Sequence, residues 1–117
     1  MPFGDFANQI PPVGFLAVHI LLFLAGAYFA WRSFGAGATT LGWAFSLFAL
    51  AEISYMTYHL DWTVFLFAHT ISEVLDLVAF VLIFLWAARR ITAEHASATE
   101  GQLPDSVYVH QVTDIEI

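Results

Sequence analysis

The chain has 117 residues, 60% of them hydrophobic and 11% charged, with a net charge of -7 and no cysteine. A soluble domain would carry about 25% charged residues, so the composition indicates one modest domain of the all-α integral membrane class, placed in the cell membrane as a multi-pass protein. The acidity argues against nucleic acid as a partner, and without thiolates only His and carboxylate side chains remain to ligate a metal.

Residues 1–11, "MPFGDFANQIP", form a short N-terminal segment expected on the outer side. It has no basic residue and carries Asp5, unlike the n-region of a secretory signal, and the apolar run after it is longer than an h-region. That run is therefore expected to remain as a membrane helix.

Three apolar segments follow, at about residues 12–33, 40–60 and 62–90. Each is near the ~20 residues that cross ~30 Å of hydrocarbon, and each should be helical because lipid offers no partner for an open backbone. Pro12 sits where a first-turn proline is tolerated. "SFGAGATT" reads as a breaker-rich loop with Thr39 or Thr40 as N-cap, and "HLDW" as a tight hairpin. Together they predict a transmembrane domain over residues 12–90, an up-down-up bundle of three transmembrane helices.

Orientation follows from arginine. Arg32 lies in the first loop and Arg89 and Arg90 at the end of the third span, while the N-terminal segment and the "HLDW" turn have no basic residue. Positive charge stays inside, which predicts the N-terminus outside and the C-terminus inside. Trp31, Trp43 and Trp86 would mark the inner interface and Trp62 the outer one. Residues 91–117 then form an acidic cytoplasmic tail, for which disorder is the expectation. Within it "VYVHQV" has β propensity suited to adding an edge strand to a partner.

Ionisable groups inside membrane spans are costly and normally face protein or water. His69, Glu73 and Asp76 stand at i, i+4 and i+7 on the third span, and Glu52 and His59 are seven apart on the second. On the first, His19 shares a stripe with Gly26 and Ala30, small residues that permit close helix approach. Counting inward from the outer surface at ~1.5 Å per residue puts Glu52 and His69 each roughly 12 Å deep and His19 at roughly 10 to 12 Å, with Glu73 one turn further in. This arithmetic predicts a constellation of His19, Glu52, His69 and Glu73, extended by His59 near the outer mouth and Asp76 near the midplane into a polar track.

Two imidazoles and two carboxylates can complete a shell for Zn²⁺, Fe²⁺ or Mn²⁺, and the nitrogen and oxygen set also suits Cu²⁺. Proton or metal-ion transport is a second use, since imidazole and carboxylate chains pass protons. Haem between His19 and His69 ranks below these, because three helices are few to enclose a porphyrin. The plainer uses are a buried Glu52–His69 pair that fixes helix register, Asp76 bonding to a neighbouring chain, His59 as an interfacial residue at a turn, and His95 and His110 as solvated tail residues. The reading this favours is a small non-enzymatic accessory subunit, working with other membrane subunits or as a homo-oligomer in the lipid bilayer. A small ion transporter is the alternative, and a contribution of ligands to a membrane metalloenzyme or haem site comes third.

Overall fold

The computed structural model describes residues 3–101. They are helical: a 3-10 turn at Asp5–Gln9, then α1 (Pro12–Gly35), α2 (Thr39–His59) and α3 (Phe65–Gly101). Two of these helices, α1 and α3, are long and apolar enough to cross a membrane, whereas α2 is not. Contacts divide the chain after Trp86. The bundle contacts described below lie in the first unit.

Helix ends follow local chemistry. Pro11 is extended, as a residue before proline must be, and Pro12 opens α1 where a missing N–H costs nothing. The C-termini of α1 and α2 close alike. Ala38 N–H donates to Ser33 O and Gly37 N–H to Phe34 O after α1; Trp62 N–H donates to Thr57 O and Asp61 N–H to Tyr58 O after α2. Both are Schellman closures, which need a left-handed residue at the fifth position. Gly37 supplies it at φ 78, and Asp61 at φ 60. The "HLDW" turn is thus wound into a cap, with Thr57 and Thr63 hydroxyls 3.0 Å apart bracing it, so α3 begins at Phe65 and not at Trp62. The expected threonine N-cap of α2 does not form. Ala38 occupies that position, and its methyl side chain has no acceptor to offer the first turn.

Packing is through small residues. Gly26, Ala30 and Ser33 are the buried positions of α1; Gly42, Ala44, Ala49, Ala51 and Glu52 those of α2. A Cβ on Gly26 would stand 2.9 Å from the Phe48 ring and 3.4 Å from the Ala49 methyl, so the two backbones approach more closely than any larger side chain would allow. On α3, Ala68, Ser72 and Ala79 are buried. Ser72 Oγ donates to Ala51 O at 3.0 Å and Ser54 Oγ to Ala68 O at 3.1 Å. Each of α2 and α3 therefore offers a hydroxyl to the other's backbone.

Large apolar side chains lie outside this core. Leu21, Leu24, Phe29, Leu66, Val74, Leu77, Phe80 and Phe84 are all exposed, and only 11% of the most apolar stretch of α1 or of α3 is buried. In the second unit, residues from Ala87 to Gly101 are helical, and from Arg89 onward they are exposed. Arg90 Nε donates to Glu94 Oε1 at 3.2 Å, and the Thr92 and Thr99 hydroxyls donate to carbonyls one turn back. The helix passes the expected end of the third span near Arg90 and continues through the first part of the acidic tail, while "VYVHQV" and His110 lie outside the described residues.

Candidate functional site

The face of α2 that carries Glu52, Tyr55 and His59 meets α1 on one side and α3 on the other. His19 of α1 donates from Nδ1 to Glu52 Oε2 at 2.6 Å, with the His19 side chain 17% exposed and that of Glu52 6%. The pair is cross-helix and largely buried. A carboxylate can only accept, so Nδ1 carries the proton of this bond, and Nε2 is the ring nitrogen to which a metal or a proton would bind. Glu52 thereby acts as the group that orients His19.

Around this pair the rings close a circuit. His19 stacks on His59 at 5.3 Å and on Tyr55 at 5.1 Å between ring centres. Tyr55 leans on His69 at 6.3 Å, and His69 stacks on Phe65 at 5.1 Å. Phe65 meets Tyr58 edge-on at 5.4 Å, and Tyr58 returns to His59 at 5.1 Å. Phe15 lies parallel against His59 at 5.1 Å. Three imidazoles from three helices are thus held in one ring of aromatic contacts near the α2–α3 turn.

Glu73 joins one turn further along α3 from His69: its Oε1 accepts the Tyr55 hydroxyl at 3.0 Å, in an exposed position. Asp76 stands one turn beyond and reaches a different environment. Its Oδ1 is buried with no hydrogen-bond partner, and it lines a cavity of about 220 Å³ with Phe45, Phe48, Ala79, Phe80 and Ile83.

The expected four-residue constellation is resolved into parts. His19 meets Glu52, Glu73 meets Tyr55, and His69 meets Phe65 and Tyr55. Among the described residues no three His, Asp or Glu side chains are grouped so as to hold one metal ion. The physical reason is Tyr55, whose ring contacts both His19 and His69 and whose hydroxyl engages Glu73. His59, expected in the polar track or as an interfacial turn residue, is the last residue of α2 and takes part in the ring circuit. His95 lies on the exposed part of α3.

Comparison with family models, with curated proteins and with solved structures finds no match to this chain. Its chemistry is therefore read from the side chains alone.

Reasoning from sequence overlooked the serine pair and most of the ring circuit. Ser72 stands four residues from Ala68 and seven from Ala79, a small-residue stripe like that of Gly26 and Ala30, and reading it would have exposed Ser72 as a contact. Tyr55 and Tyr58 share the Glu52–His59 region of α2, and their polar tips signalled partners in an apolar setting.

Proposed function

We propose that the chain is a small non-enzymatic subunit of the cell membrane whose three helices all cross the bilayer, N-terminus outside and C-terminus inside. It works within a homo-oligomer or a larger membrane complex. The imidazole and carboxylate cluster sets the register of its helices. The observation that carries this reading is the buried His19–Glu52 pair, a polar join between α1 and the helix that is too polar to cross alone. With α1 and α3 beside it, α2 hands its polar groups to protein partners, so its modest hydropathy is compatible with a shielded crossing. Outward-facing phenylalanines and leucines on α1 and α3 supply the surface for lipid and for neighbouring subunits.

Ion handling is a second reading, favoured by one geometric detail. Glu52 engages His19 at Nδ1 and so orients the ring about its Nε2, the arrangement in which a carboxylate supports a metal-binding or proton-accepting histidine. Zn²⁺, Fe²⁺, Mn²⁺ or Cu²⁺ would be the ligand classes.

Topology provides the test. The chain has no cysteine, so single Asn8→Cys and Ser97→Cys variants can be labelled in sealed vesicles with a membrane-impermeant maleimide. Three crossings put the two sites on opposite sides; labelling of both from one side would overturn the reading. Mild-detergent extraction should yield a particle larger than one chain, and a strictly monomeric particle would remove the subunit role. Metal content that depends on His19 in the same preparation would favour the second reading.

A further inference from the structure

The cavity beside Asp76 is separate from the imidazole cluster, and the interhelical role does not use it. Its walls are Phe45 and Phe48 of α2 and Ala79, Phe80 and Ile83 of α3, so every lining group except Asp76 is apolar. The one side-chain polar atom buried without a hydrogen-bond partner among the described residues, Asp76 Oδ1, belongs to a residue of this lining. An unsatisfied buried oxygen is costly and calls for a donor.

We propose that this cleft binds a ring-sized apolar molecule carrying one neutral hydroxyl, a phenol-type compound, with the hydroxyl donating to Asp76 Oδ1. Size sets the first limit. A cavity of roughly 150 Å³ lined by apolar side chains accommodates benzene, and about 220 Å³ here leaves room for one ring and a substituent. Shape sets the second, since three phenyl groups in the lining favour an aromatic guest through edge-to-face and offset contacts. Charge sets the third: an organic cation would have to shed its water among apolar walls with Asp76 as the single polar residue of the lining, whereas a neutral hydroxyl needs one bond. Phe80 is 70% exposed, so one wall lies at the protein surface and a guest dissolved in the surrounding apolar phase can enter without unfolding the helix pair. Entry from that phase rests on the membrane reading, while the cleft itself needs only the α2–α3 packing and has no part in the subunit role.

Fluorine NMR on the full chain in lipid nanodiscs tests it, with para-fluorophenol, para-fluorotoluene and para-fluorobenzylamine as probes and empty nanodiscs as the partitioning control. The phenol should shift saturably and bind about tenfold or more tighter than the toluene, which lacks the donor. Asp76→Leu should bring the phenol down to the toluene's level, while Asp76→Asn, which retains an amide oxygen as acceptor, should stay within about threefold of the parent. Ile83→Trp, filling the cleft, should abolish binding of both, with circular dichroism showing that each variant keeps its helices. Equal binding of phenol and toluene, unaltered phenol binding by Asp76→Leu, or tighter binding of the benzylamine than of the phenol would each overturn the assignment.

Discussion

Removing the two members of the His19–Glu52 pair should have unequal effects. In His19→Phe the ring stacks on His59 and Tyr55 are retained, but the Glu52 carboxylate, 6% exposed, loses its hydrogen-bond donor. Leaving a buried charge alone costs about 3 to 5 kcal/mol. In Glu52→Leu only the neutral Nδ1–H of His19 is orphaned, at about 1 to 3 kcal/mol. Replacing both, His19→Phe with Glu52→Leu, removes the pair and leaves an apolar contact of similar volume, which should return stability to within about 1 kcal/mol of the parent. The two sites should therefore couple by at least about 2 kcal/mol, well outside additivity. Denaturation by sodium dodecyl sulfate from mild-detergent micelles, followed by circular dichroism, measures all four corners of the cycle. Additive losses, or a Glu52→Leu variant harmed more than His19→Phe, would refute a buried imidazole–carboxylate hydrogen bond as the join between α1 and α2.

The same titration checks three further expectations. Gly26→Leu places a side chain where a Cβ already meets the Phe48 ring at 2.9 Å, and should cost about 1 to 3 kcal/mol by overpacking. Asp61→Gly relieves a left-handed position at φ 60, and should stabilise by about 0.5 kcal/mol once the larger chain entropy of glycine is offset. Asp76→Leu removes the partnerless Oδ1 and should raise stability by about 1 to 3 kcal/mol; a decrease would show that Asp76 is already engaged.

Much of the fold was legible because lipid-compatible helices announce themselves by length and by their breakers. Pro12 and the "SFGAGATT" loop bracketed α1 closely, since proline and glycine act locally. The α2–α3 boundary was displaced because Asp61 adopts a left-handed conformation that its residue type permits without requiring. Helical periodicity placed His19, Gly26 and Ala30 on one face and identified Glu52 as a residue that needs a partner. The partner expected on α3 was His69, whereas the partner observed is His19. Level depth along two helices does not determine which of two flanking helices a side chain on the middle one turns towards. That choice depends on rotamers and on Tyr55, an aromatic bulk that periodicity ranks as ordinary packing.

In the proposed membrane setting, the polarity of α2 and the thinness of the core have one physical origin. Where the surroundings are as apolar as a leucine side chain, burying leucine gains little, so helices adhere through close backbone approach and hydrogen bonds. The buried set obeys this: glycine, alanine and serine, with Glu52 as the one ionisable member among the described residues. Polar groups concentrate on the helix with a neighbour on each side, where His19 is met from one flank and Ser72 and Glu73 from the other. Asp76 departs from this rule because α2 presents Phe45 and Phe48 at its level and no donor. A carboxyl oxygen left unsatisfied by its own fold, in a cleft of ring-sized dimensions, is the position where an outside molecule has the most to contribute.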